Sequence, residues 1–375
     1  MTASVATWLP EKPEPLLTAM LDRLARTEDV ERIAVMPDAH VAEDVCVGTV
    51  TATTRRLLPA AVGGDIGCGM ITLRLGASAD LLADRDTAAR VLGGLTSAVP
   101  RLLRPAAEAP ELPDDLAGLP LSNGPLEKMK GRDGRLSFGT LGRGNHFLEV
   151  QRDAEGELWL VVHSGSRSMG PAIRDHHESR APRDPSGLAY LDVDTEAGQA
   201  YLADVAWAAL YARRNREVLL DAALGVIGDV LPIAPDRASL VACDHNHVRR
   251  EEHFGQALWV HRKGAMHLPE GAIGVLPGSM GTATFHVEGR GHAASLCSSA
   301  HGAGRRRSRA EARRTIPVKR LVAELSGVWF DHRIASDLRE EAPSAYKDVT
   351  AVLRAERDLV RVVRRLAPVL VYKAA

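Results

Sequence analysis

Six times along the chain, a short apolar run lies beside a loop of small, polar and reactive residues: IAVMPDAH, AAVGGDIGCG, LWLVVHSGS, SLVACDHN, ALWVHRKG and AIGVLPGS. This pattern constrains the fold more than any other feature. The runs are too short for helices and rich in Val, Ile and Leu, as buried strands are. They place strands at Ile33–Pro37, Leu158–Val162, Ser239–Ala242, Leu258–Val260 and Ile273–Leu276. Loops at strand ends are where a rigid scaffold presents reactive groups, so six of them can converge on one cleft. Helical periodicity appears between them. It is clearest from Glu196 to Ala223, where Tyr201, Leu202, Val205, Ala209 and Ala212 recur behind Thr195 or Asp194 as cap. Pro15–Arg26, Ala83–Leu95 and the region after Ile316 also read as helices, and segments 104–126 and 178–188 read as loops. No internal repeat or long linker divides the chain. The expectation is an α/β (mixed α+β) fold in a single large domain, residues 1–375, around a central cleft.

Charge and cysteine content narrow the class. With 47 Lys+Arg against 48 Asp+Glu, the net charge of -1 announces no nucleic-acid binder, so any such contact must come from a local basic patch. The basic residues are nearly all Arg, which suits bidentate phosphate contacts but fits coding bias equally well. Cys46, Cys68, Cys243 and Cys297 are far apart and show no disulfide rhythm. No basic-then-apolar leader opens the sequence, and no apolar run approaches the roughly 20 residues of a membrane span. A cytoplasmic protein with reduced thiols is expected.

Two kinds of reactive group stand in the loops. Asp65 and Cys68 (VGGDIGCGM), His146 (LGRGNHFLEV), His163 (VVHSGSR) and His245 (CDHNHV) supply a carboxylate, a thiolate and imidazoles. That set suits a borderline transition metal such as Mn²⁺, Zn²⁺, Co²⁺ or Fe²⁺, and a thiolate can bridge two ions. The turns HSGSR, PGSMG and HGAGR are rich in small residues whose backbone N–H groups can cradle an anion. Each feature alone is common; together they are not.

These blocks, with MPDAH, HRKGA, LPGSMGTAT, SSAHGAGRRRSR and EAPSAYKD in this order, resemble the RtcB family of RNA ligases, from about residue 33 to the C-terminus. The resemblance implies a central metal and nucleotide cleft. It also implies two Mn²⁺ ions on Asp65, Cys68, His146, His163 and His245, with Cys68 bridging. By the same resemblance His301 is the nucleophile that takes GMP from GTP. Guanine nucleotide contacts would fall on Asn145, Glu149, His245, Asn246, Pro277, Gly278, Ser279, Met280, Thr284, Gly302, Ala303, Gly304 and Lys373. The implied reaction joins an RNA 3′-phosphate, or a 2′,3′-cyclic phosphate opened to it, to a 5′-hydroxyl through guanylylated histidine and a GMP-capped RNA 3′ end. RNA repair and tRNA splicing are the implied settings, with an archease-like activator as a further implied partner.

The residue chemistry agrees with those roles. A neutral imidazole is a competent nucleophile toward phosphorus, and it must be held by a carboxylate or carbonyl to present the right nitrogen; Asp65 is one candidate for that task. Glu149 can accept from the guanine N1–H and N2–H₂ edge, which adenine lacks. Arg305, Arg309 and Arg167 are candidate RNA phosphate contacts, whereas Arg306 and Arg307 read equally as a solvated basic turn. Where family members commonly carry VGVDIGCGM, GGGNHF and HSGSRGLG, this chain has Gly64, Arg143 and Ser168-Met169-Gly170. None of these changes removes a ligand or the nucleophile. The alternative is a two-metal phosphoesterase acting on RNA ends without joining them; it would need neither His301 nor Lys373.

Overall fold

The computed structural model describes residues 3–374. It is a mixed α/β fold built on two sheets. The strand candidates named above all lie inside longer strands: Val30–His40, Glu157–Ser164, Asp236–Asp244, Gln256–Lys263 and Ile273–Pro277. The larger sheet has seven strands in the order Ile273–Pro277, Thr284–Gly289, Val360–Tyr372, Phe147–Arg152, Glu157–Ser164, Gly69–Ser78 and Asp236–Asp244. Its neighbours are antiparallel throughout. The sheet curls until its two end strands approach each other. The smaller sheet has five strands, in the order Ser4–Thr7, Val30–His40, Val47–Thr53, Gln256–Lys263 and Asn246–His253. Only its first pair is parallel.

The helix expected from Glu196 runs to Gly228, and Thr195 caps it by accepting the Gly198 N–H at 3.1 Å. Its buried stripe of Tyr201, Val205, Ala208, Ala212, Leu219 and Ala223 is spaced three, four or seven residues apart, so one face packs inward. Its C-terminal half covers the inner strands of the large sheet with Leu73, Leu160 and Val162. Asp204, Asn215 and Arg216 are also buried on this helix. Polar groups at such depth are stable only when bonded, and the last two reach into the site.

Two expectations change. Segment 104–126 contains a short helix, Asp114–Ala117, and the start of another, Gly124–Met129. The region after Ile316 is α-helical at Val318–Glu324 and Val349–Ala355, has short 3₁₀ turns at His332–Ile334, Asp337–Glu341 and Pro343–Ala345, and then enters the strand Val360–Tyr372. That strand carries Arg361, Arg364 and Arg365, and its Pro368 sits where the pairing register shifts, a position that spares a ladder hydrogen bond. Among the described residues, no helix is long and apolar enough to cross a membrane.

Candidate active site

A cleft of about 1080 Å³ opens between the two sheets. The DIGCG loop enters it just before strand Gly69–Ser78, not after a strand as the pattern suggested. His146 immediately precedes strand Phe147–Arg152, His163 is the penultimate residue of Glu157–Ser164, and His245 lies between Asp236–Asp244 and Asn246–His253. Three adjacent strands of the large sheet, paired Phe147 with His163 and Met70 with His163, bring the first three loops to one edge.

There the side chains form a chain of contacts. Asp65 Oδ2 lies 2.8 Å from His146 Nε2. Cys68 Sγ lies 3.4 Å from His146 Nε2 and 3.2 Å from His163 Nε2. His163 Nε2 lies 3.4 Å from His245 Nε2, and the His245 ring lies against His301, tilted by 53° with centroids 4.8 Å apart. Cys68, His146 and His163 are buried, with ligand atoms all within 4.8 Å of one another. The His163 tautomer is set from behind. His163 Nδ1 faces the Asn145 carbonyl at 3.0 Å, so its Nε2 carries the lone pair inward, whereas His146 Nδ1 meets both the Leu141 carbonyl at 3.1 Å and Arg167 at 3.2 Å. Burial pushes the pKa of all three histidines down, toward neutral rings. His163 Nε2 turns its lone pair toward the Cys68 sulfur and His245, and with Asp65 beside His146 this carboxylate, thiol and set of neutral imidazoles form a donor set that fits metal. Burial and the neighbouring Asp65 charge hold the Cys68 thiol well above its ordinary range.

The loops are braced from the long helix. Arg216 donates to the carbonyls of Gly67 at 2.7 Å and Ser164 at 2.9 Å. Asn215 accepts from the Gly139 N–H at 2.8 Å and donates to Thr140 O and Ser164 Oγ. Gly142, at φ +102°, lies where a side chain would strike His146 and Arg167.

The holder of His301 is Asp38, not Asp65. Asp38 Oδ2 stands 2.6 Å from His301 Nδ1 and accepts the His301 backbone N–H at 3.2 Å. The Nδ1 approach is too oblique for a straight hydrogen bond and is a close polar contact. Asp65 is engaged instead with His146. Gly304, at φ +71°, lets the HGAG turn press on the Asp38 carbonyl, where any side chain would clash.

Glu149 is buried beside Lys373, and burial pushes its carboxyl up to about 8, against the Gln151 amide hydrogen bond and the Lys373 charge. Lys373 Nζ lies 3.1 Å from Glu341, which also takes Arg305 at 3.0 Å and the Tyr346 hydroxyl at 2.6 Å. The remaining expected nucleotide residues line the cleft, except Thr284. Thr284 is buried and accepts from Gln151 at 2.9 Å, so it backs Glu149 from behind. Arg305 lines the cleft but is committed to Glu341, Tyr346 and two carbonyls. Arg309 also lines it, half-exposed near Glu340 and Glu341. Arg167 lies behind the cleft, 3.2 Å from His146 Nδ1, and acts as a brace.

Asp38, Gln151, Arg216 and Glu341 were not singled out in the sequence. Asp38 lay in the MPDAH block and Glu341 opened the EAPSAYKD block, so both were within reach. Nothing local marks Arg216.

The fold and site thus define a mixed α/β protein with a buried thiol–imidazole cluster, of metal-holding type, at one end of a large polar cleft. Comparison with known proteins makes this specific. The family model described as tRNA-splicing ligase RtcB matches residues 20–117 and 121–374. RNA-splicing ligase RtcB of Escherichia coli (strain K12) is 34% identical over 371 residues, covering 92% of this chain and 90% of the relative. RNA-splicing ligase RtcB of Mycobacterium tuberculosis (strain ATCC 25618 / H37Rv) is 32% identical, covering 89% and 94%. The tRNA-splicing ligase RtcB of Nanoarchaeum equitans (strain Kin4-M) is 28% identical, covering 92% and 88%. The chain belongs to the RtcB family.

Proposed function

We propose that this protein is a GTP- and Mn²⁺-dependent RNA ligase that joins a 3′-phosphate, or a 2′,3′-cyclic phosphate, to a 5′-hydroxyl through guanylylated His301. The observation that carries the reading is His301 itself. It lines the cleft beside the thiol–imidazole cluster, with Asp38 against Nδ1, which leaves Nε2 as the attacking nitrogen.

Asp65, Cys68, His146, His163 and His245 would hold two divalent cations. Bound there, the cations supply positive charge that offsets the charge building on a phosphoryl group under attack. Glu149, with Lys373 beside it, would read the guanine edge, and the PGSM and HGAG turns would cradle phosphates with backbone N–H groups. In the first step Nε2 forms a bond to the α-phosphorus of GTP and pyrophosphate leaves, while Asp38 stabilises the charge appearing on the ring. An oxygen of the RNA 3′-phosphate then takes GMP from His301. Last, the 5′-hydroxyl attacks the activated 3′-phosphate, its proton passes to solvent, and GMP departs. Arg306 and Arg309, on the exposed side of the cleft, are suited to RNA phosphates. An archease-like activator is a further partner in this reading, and the whole chain acts as one domain.

The test is incubation with Mn²⁺ and α-labelled GTP, followed by a search for an acid-labile protein–GMP adduct. The wild type is expected to carry label and His301→Ala none. An unlabelled wild type under varied metals, with and without activator, would instead favour a phosphoesterase.

A further inference from the structure

Glu356 directly follows the helix Val349–Ala355. Its backbone is fixed on both sides: its N–H donates to Val352 O at 3.1 Å, and its carbonyl accepts from Leu359 at 2.8 Å and Val360 at 3.1 Å. The side chain is fully buried in the neighbourhood of an apolar cluster that includes Ala300, Val352 and Leu359. Oε2 accepts the backbone N–H of Ala300 at 2.8 Å, while Oε1 is buried without a partner.

Among the described residues, no cation pairs with this carboxyl. The charged group that faces it is Asp38 of strand Val30–His40, which is also fully buried and has one oxygen without a partner. Lys347 is spent on the carbonyls of Pro37 and Ala39. Arg354 pairs with Asp348, and Arg357 with Asp358, at the surface. Among the described residues, the polar partner of the Glu356 side chain is the Ala300 amide. A buried carboxylate with no cation and a second carboxylate nearby is strongly disfavoured, and such a pair retains a proton. The successive amides of Ala300 and His301 therefore go to two different carboxyls, Glu356 and Asp38.

On the guanylylation reading above, we propose that Glu356 is a positioning residue for the nucleophile: a proton-bearing carboxyl that pins the amide of Ala300, so that His301 is held against the charge of Asp38 alone. Burial and the Asp38 charge both push the Glu356 carboxyl well above the ordinary carboxylate range, in line with this role.

Two variants of the full chain test it, Glu356→Gln and Glu356→Leu. Adduct formation from α-labelled GTP and thermal melting without nucleotide are each followed from about pH 6 to 9.5. The Gln variant keeps a neutral acceptor, so at neutral pH its rate should stay within about twofold of wild type, and Leu should lose roughly tenfold or more. The melting data have a fixed sign. A carboxyl with a raised folded-state pKa destabilises the fold progressively as pH rises toward that pKa, so Gln should gain stability over wild type with rising pH. A tenfold loss in Gln at neutral pH, parallel melting curves at every pH, or a wild-type rate in Leu would each overturn the proposal. A wild type that forms no adduct at all would overturn the ligase reading instead. The melting series would still decide whether Glu356 carries a proton.

Discussion

Asp38 and His301 are 263 residues apart, and their contact joins the smaller sheet to the HGAG turn. On the proposed reading, a carboxylate against Nδ1 favours a proton on that nitrogen and would stabilise the positive charge that appears during attack. Asp38→Asn keeps the shape and loses the charge, so guanylylation should fall by roughly 10² to 10⁴, with folding unchanged by circular dichroism. Retention of the wild-type rate would mean that Nδ1 is held some other way. Glu149 gives a prediction in pH. Its carboxyl, pushed up to about 8 by burial, is mostly neutral in the empty cleft at pH 7. The guanine edge needs an ionised acceptor, so GTP affinity should rise with pH and flatten above about 8. Titration calorimetry across that range checks it; affinity that falls with pH would show that Glu149 binds as the neutral acid. The reactive residues themselves were legible in the sequence because each stands in a short block of small residues. Their supports were not. Asp38, Gln151 and Glu341 carry ordinary side chains whose roles exist only once distant strands have met.

The long helix Glu196–Gly228 shows the same division at the scale of an element. Its cap and apolar stripe were readable from Thr195 onward, because helix periodicity is local. Its second task was not readable: Asn215 and Arg216 reach the loops that carry His146, His163 and Cys68. Asn215→Ala would strand buried partners and should cost about 1–3 kcal/mol in urea unfolding. Arg216→Met should weaken Mn²⁺ binding roughly 10–100-fold, measured by titration without nucleotide, because outer supports orient the groups that hold a metal. Unchanged affinity would make Arg216 a purely architectural residue. Strands with mixed polarity escaped the sequence reading for a related reason. Asn246–His253 is an edge strand with Arg249, Arg250, Glu251 and Glu252 in succession, so it shows no alternation. Val360–Tyr372 carries arginines and an interior proline, yet it lies in the middle of the large sheet.

For the whole molecule, the metal-type cluster joins ligands from loops that are far apart in sequence, so whatever fills it should stabilise the fold. A cation at about 100 times its Kd adds about 2.7 kcal/mol per site. Chelation should therefore lower the melting temperature of the purified protein, and Mn²⁺ should restore it; indifference to chelator would mean that the cluster holds no ion. The unfolding transition should be single, since both sheets share the cleft. The place of strand Val360–Tyr372 has a further consequence. It separates Thr284–Gly289 from Phe147–Arg152, so those two halves of the large sheet have no ladder between them until this late segment has been translated. Lys373 follows immediately behind it. A nascent chain still on the ribosome would thus hold most of the reactive groups without a closed sheet to align them. A chain cut short ahead of this strand should be prone to aggregation through its open strand edges and show no partial activity.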